Sequence, residues 1–260
     1  MTESLKNIFE FLIENRNYNK ELQTRYYSGI VNSQKNKAEK IVSLLYHTAN
    51  TQSQPKIDYL AEFYQKIYQN TDLLNSFSEF MSIINPNGTE PKNYNGLYNG
   101  MREQKGWGEK TSALFVKTIF HLHNREYPND LRIWNDAPTD LENNDLFYLP
   151  VDAVIISIFK KIYPKSWNFK NINKIISENY SGKDIEVWDD LWFWGFITQI
   201  GTGDNRKMGW NLNKYWTLRE SDKSPEMIKE IKNKAEQFLT VLNNKSTLHN
   251  NVYSSLRLNS

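Results

Sequence analysis

Apolar residues recur every three to four positions along most of this chain, and that period predicts helices. In SLKNIFEFLIENR, Leu5, Ile8, Phe9, Leu12 and Ile13 share one helical face. Ala38, Ile41, Val42, Leu45 and Tyr46 repeat the pattern, followed by Ile57, Leu60, Phe63, Tyr64, Ile67 and Tyr68, and a fourth stripe runs from Phe77 to Ile84. Pro86, Gly88 and Pro91 then interrupt the period with a polar loop, NPNGTEPKNYNG. A second group of elements follows. The pattern predicts a short helix over 96–104 and an amphipathic one over 108–123, with Leu114, Phe115, Thr118, Ile119 and Leu122 on its apolar side. Residues 124–147 are polar, carry Pro128 and Pro138, and read as an irregular insertion. Helical spacing returns at 151–163, 169–180, 184–200 and 224–243. No segment alternates with period two, so the expected fold class is all-α. Two helical cores are expected in one two-lobed unit over 1–260. One lobe takes 1–90 with 165–260, the other 91–164, and a cleft separates them.

Composition narrows the classes without choosing among them. Hydrophobic residues make up 39% and aromatics 14% of the 260 positions, too many for a disordered chain. No apolar stretch reaches 18 residues, which speaks against a transmembrane helix. The first residues, MTESLKNIFEFLIENR, carry acids within the apolar stretch and lack a small-residue cleavage site, unlike a signal peptide. With no cysteine there is no disulfide, thiolate nucleophile, iron–sulfur cluster or cysteine zinc site. That absence suits a reducing compartment, and a cytoplasmic location is expected. The 32 basic and 30 acidic residues nearly cancel, so any nucleic-acid surface has to be a local basic patch.

Two stretches carry chemistry. Residues 105–113 read Lys-Gly-Trp-Gly-Glu-Lys-Thr-Ser-Ala between two expected helices. Gly106 and Gly108 permit a tight turn around Trp107, and the N–H groups entering the next helix suit a phosphate. The same glycines also suit an ordinary helix connection. Lys110 falls in the first helical turn, where a cation is disfavoured by about 0.3–1 kcal/mol. Such a lysine serves as a phosphate contact or, if buried, as an amine nucleophile. The second stretch is Tyr148-Leu149-Pro150-Val151-Asp152-Ala153, which opens the apolar run VDAVIISIF. Asp152 is placed to cap that helix, and the apolar helix behind it should hold it at the rim of a core.

Together these stretches resemble the helix–hairpin–helix DNA glycosylases. Gly106-Trp107-Gly108-Glu109-Lys110-Thr111-Ser112-Ala113 is similar to the hairpin of that superfamily, and Leu149-Pro150-Val151-Asp152 to its Pro/Asp loop. The resemblance implies a hairpin over 96–123, Lys110 as a lyase-type nucleophile and Asp152 as the essential acid. Lys110 and Asp152 lie 42 positions apart, about twice the usual spacing, with 124–147 as the insertion, and the loop lacks the glycine that normally precedes the Asp. The long spacing is similar to the archaeal-type 8-oxoguanine branch. The missing cysteines exclude an endonuclease III-type iron–sulfur protein.

Breaking an N-glycosidic bond builds positive charge on the sugar, which a fixed carboxylate stabilises. The base must leave the stack, so a pocket and a wedge are required. Trp188, Trp192, Phe193, Trp194, Phe196, Trp210, Tyr215 and Trp216 supply aromatic surface in the C-terminal third, most of it as core. Trp192 and Trp194 lie two apart and cannot share a helix face, so at least one must look elsewhere. Trp192, Trp194 and Tyr148 are the expected base-pocket residues. Gly106, Gly108, Lys105, Thr111, Arg206 and Lys207 are the expected DNA contacts, and Tyr94 with Asn95, in the loop Asn93-Tyr94-Asn95, the wedge. His47, His121, His123 and His249 form no metal pattern, and no cofactor is expected. The expected partner is double-stranded DNA carrying a modified base, either an oxidised purine such as 8-oxoguanine or a phage-type glucosylated cytosine, with no membrane and no obligate protein partner. A non-catalytic helix–hairpin–helix DNA-binding module is the alternative, and a helical protein-interaction domain a third reading.

Overall fold

The computed structural model describes residues 2–141, 145–218 and 222–243. The chain is mostly helical, as the apolar period predicts. In order the helices are α1 (Thr2–Glu14), α2 (Arg16–Val31), α3 (Lys37–Ala49), α4 (Ile57–Tyr68), α5 (Phe77–Ile84), α6 (Tyr94–Arg102), α7 (Glu109–His123), α8 (Ala153–Ile162), α9 (Phe169–Ser177), α10 (Lys183–Val187), α11 (Asp190–Ile197), α12 (Leu212–Leu218) and α13 (Pro225–Asn243). Two short strands, β1 (Gln199–Ile200) and β2 (Lys207–Met208), pair antiparallel in a hairpin that the sequence pattern did not reveal. No helix among the described residues is long and apolar enough to cross a membrane.

The chain forms two compact units. One comprises residues 1–19, 151–172 and 187–260, the other 20–150 and 173–186. The division departs from the expected lobes: 20–90 groups with the hairpin, and 151–164 with the C-terminal helices. Packing explains it, since α3 lies on α7 whereas α8 lies on α11 and α13.

In the first unit the core joins Leu5, Ile8 and Leu12 of α1, Ile155 and Ile158 of α8, Leu191, Phe193 and Trp194 of α11, and Ile231 and Phe238 of α13, all buried. The crossing of α8 and α11 is close at Gly195. A Cβ there would lie 2.4 Å from Ile158 Cδ1 and 2.8 Å from Val154 Cγ1, so any larger residue would force those side chains to shift. The expected helix over 184–200 is interrupted at Trp188–Asp189 and ends at Thr198, whose hydroxyl donates back to the Trp194 carbonyl at 2.7 Å. Gly201, at φ +81°, then turns the chain into the β-hairpin.

In the second unit α7 is buried on nearly every face, and both of its buried histidines are hydrogen-bonded. His121 lies between the Tyr27 hydroxyl (3.0 Å) and the Glu186 carboxylate (2.8 Å). His123 donates its Nδ1–H to the Ile119 carbonyl (2.8 Å) and accepts the Trp134 backbone N–H at Nε2 (3.0 Å). The described residues of 124–147 form no α-helix, yet they are built into this unit rather than appended to it. Trp134 is buried and donates its indole N–H to the Leu74 carbonyl at 2.8 Å, and Asp136 accepts the Phe77 and Ser78 N–H groups at the start of α5 (2.8 and 2.9 Å). Residues 142–144 of that segment lie outside the described residues.

Candidate functional site

The hairpin forms where expected, with α6 and α7 as its arms. Gly106 sits at φ +83°, a left-handed conformation that favours glycine, and a Cβ there would meet Leu60 of α4 at 2.9–3.0 Å. Its carbonyl accepts Gln52 Nε2 at 3.3 Å. Trp107 turns inward against Phe63 and Phe115, with ring centroids 5.2 and 5.8 Å away. Gly106 and Trp107 therefore anchor the turn. Gly108 differs: it is exposed at the N-cap of α7, has open space where a Cβ would point, and leaves the helix without a side-chain cap. That geometry exposes the N-terminus of a 15-residue helix to an anion.

Lys110 lies half-buried in the first turn, its ammonium 3.5 Å from the Thr51 carbonyl. Lys105 is exposed and paired with Glu62, so a phosphate would have to displace that carboxylate. Thr111 is buried, which removes its side chain from the expected DNA contacts. Tyr148 is half-buried with its ring 4.3 Å from that of Tyr98. Burial, with the charge of Glu109 nearby, holds the Tyr98 phenol above its ordinary value.

The expected wedge does not form as a loop. Asn93 accepts the Gly96 N–H at 2.9 Å and starts α6, so Tyr94 and Asn95 are helical. Tyr94 is fully buried, with its hydroxyl bonded to the Pro138 carbonyl and its ring edge-on to Phe120. Asn95 is half-exposed. A buried, hydrogen-bonded tyrosine cannot fill a gap in a base stack.

In the other unit Asp152 is the N-cap of α8, as the sequence predicts. Its Oδ1 accepts the Val154 and Ile155 N–H groups at 2.8 and 3.1 Å. Its Oδ2 accepts the indole N–H of Trp192 at 3.0 Å. The carboxylate is half-buried and fixed by three donors, more than a cap requires. No family model, curated protein or solved structure matches the chain.

Trp192 and Trp194 do face opposite ways. Trp194 is fully buried against Phe11, Tyr18 and Phe238, which corrects its assignment to a base pocket. Trp192 is half-buried and stacks on Phe196, with ring centroids 5.0 Å apart at 14°. Arg206 is half-buried beside the β-hairpin and donates to Gln199 Oε1 at 2.8 Å, whereas Lys207 lies exposed on β2. Sequence reasoning counted Phe196 only among the aromatics of this third, and missed Gln199 and Lys214 at this place. Lys214 puts its ammonium 4.9 Å from the Phe196 ring centroid. Its local sequence, NLNKYWTL, carries no motif, so only tertiary packing reveals it.

Among the described residues no three His, Asp or Glu side chains converge as metal ligands. His121 and His123 are engaged as above, His47 is exposed beside Tyr26, and His249 lies outside the described residues.

Proposed function

We propose that the chain is a DNA glycosylase of helix–hairpin–helix type that excises a modified base. The observation that carries this reading is Asp152, a carboxylate held by two backbone N–H groups and one indole N–H beside the half-exposed Trp192–Phe196 pair. A rigid anion next to aromatic faces suits a nucleotide whose sugar becomes cationic as the glycosidic bond breaks. The base departs with the bonding electrons, and Asp152 offsets the charge left on C1′. The uncapped N-terminus of α7 at Gly108 supports a phosphate contact of the hairpin type.

Water or the Lys110 amine completes the step. If the amine attacks C1′, an imine forms with loss of the ring C–O bond. Removal of a 2′ proton then expels the 3′ phosphate, giving lyase activity. The target is an oxidised purine such as 8-oxoguanine or a glucosylated cytosine of phage type, and the site acts in the cytoplasm on double-stranded DNA without a cofactor.

The test is incubation with a panel of duplexes carrying single modified bases, followed by borohydride trapping and then alkali. Base release from one member of the panel is expected. Lys110→Gln should abolish the trapped adduct and spontaneous nicking while DNA affinity stays near wild type. If Lys110→Gln still releases base and alkali is needed to break the strand, water is the nucleophile. Duplex binding with no base release across the panel would favour the non-catalytic binding module.

A further inference from the structure

The half-buried ammonium of Lys214 has no hydrogen-bond or ion-pair partner among the described residues; it rests over the Phe196 ring. Taking a cation partly out of water without an anion is unfavourable unless one arrives. Burial pushes Lys214 below the usual lysine value, repulsion from Arg206 adds to this, and the Asp152 carboxylate opposes it. Lys214 thus lies within electrostatic reach of both groups. Arg206 is preorganised: one guanidinium nitrogen is bound to Gln199 Oε1, and Gln199, fully buried, donates to the Val154 carbonyl at 3.0 Å. Val154 lies in the turn that Asp152 caps, so Arg206 is tied to the element that holds the carboxylate, whereas Lys214 rests on the Phe196 ring that stacks against Trp192, the indole partner of Asp152. The oxygens of Asp152 are already engaged by α8 and Trp192, which leaves the cations available to a ligand.

We propose that Lys214 and Arg206 form a phosphate subsite beside Asp152, taking a backbone phosphate of the strand whose sugar meets that carboxylate. This inference rests on the glycosylase reading and adds to it the binding of the flanking phosphate. The arrangement is bipolar, as such a ligand requires. The carboxylate faces the end that becomes cationic, and the two cations face the end that is anionic throughout. Arg supplies a planar fork of donors and Lys a compact charge, a pairing suited to non-bridging phosphate oxygens.

The experiment measures affinity against salt for a short duplex carrying a single tetrahydrofuran abasic analogue. Wild type, Lys214→Met, Lys214→Arg and Arg206→Gln are compared, with thermal midpoints as a check on folding. Methionine keeps the aliphatic stem over Phe196 and removes the charge. Each lost phosphate contact should flatten the slope of log affinity against log salt by about 0.7–0.9. Lys214→Met and Arg206→Gln should each show that change, and Lys214→Arg should restore the wild-type slope. If wild type binds and Lys214→Met keeps its full slope, the subsite is wrong while the glycosylase reading stands. A wild-type protein that binds no duplex overturns both.

Discussion

Replacing Asp152 by Asn separates a helix cap from a catalytic charge, because the two roles predict different losses. Asparagine caps helices about as well as aspartate, so the bonds now made to Val154 and Ile155 can survive. The amide NH2 then faces the Trp192 N–H, donor against donor, where Oδ2 now accepts at 3.0 Å. Losing that charge-assisted bond costs about 1.5–3 kcal/mol when fully buried, and the half-exposure of Asp152 brings it to about 1–2 kcal/mol. Loss of the negative charge at the N-terminus of α8 adds about 0.3–1 kcal/mol. Asp152→Ala also removes the cap, for a further loss of about 1 kcal/mol. Stability should therefore rank wild type, Asn, Ala, with steps large enough to read by thermal or urea unfolding. Excision should not follow that ranking. Both variants lose the anion under the sugar, so single-turnover base release should fall about 10²–10³-fold in each. The assay is quenched excision on the duplex found by the substrate panel, well below the unfolding midpoint of either variant. Wild-type rates in Asp152→Asn would make Asp152 a cap and end the catalytic assignment.

Two further outcomes follow from the geometry. Gly108→Arg should fold normally, since open space surrounds its Cβ direction, yet weaken duplex binding by blocking the turn; Gly106→Ala should instead lower stability by about 1–3 kcal/mol through its positive φ and the Leu60 contact. Intact binding in Gly108→Arg, or an unchanged midpoint in Gly106→Ala, would count against this division of roles. Burial, aided by the charge of Arg132, pushes His123 from its ordinary 6.5 down to about 4, although the Ile119 carbonyl opposes the shift. The neutral ring is the folded form, so stability is complete above pH 6.5 and declines by up to about 3 kcal/mol as pH falls toward 4. His123→Asn should flatten unfolding free energy against pH across that window, and an unaltered slope would show that other groups cause it.

Helices with apolar stripes were legible because burial and hydrophobicity coincide in them. Both arms of the hairpin and α13 fell within a few residues of their expected bounds. Helix α2 carries no apolar stripe of its own, and its contacts show why. Its inward positions include Asn19, Gln23 and Tyr27, which meet Asp190, Tyr127 and His121 through hydrogen bonds of 2.6, 2.7 and 3.0 Å. An amide buried against a polar partner leaves no apolar period to detect. The polar loop before Asn93 hides the helix start there, which is why the sequence suggests a wedge at Tyr94 where the fold has a buried helical residue. For the candidate site, spacing alone placed Asp152 as a cap and set Trp192 and Trp194 on different faces. It could not say which indole turned inward, nor that Lys214, some sixty positions from Asp152 in the chain, would feel its charge.

Gly195 gives the candidate site a particular evolutionary stiffness. The bond between Asp152, the cap of α8, and Trp192 of α11 joins two helices that pack where Gly195 leaves room for the side chains of Ile158 and Val154. A methyl group there would press on both side chains, a strain that trimming Ile158 or Val154 in the same lineage would relieve. Substitutions at 154, 158 and 195 should therefore arise as compensating sets among descendants that keep the carboxylate–indole bond. Chains that drift at these positions singly should lose it.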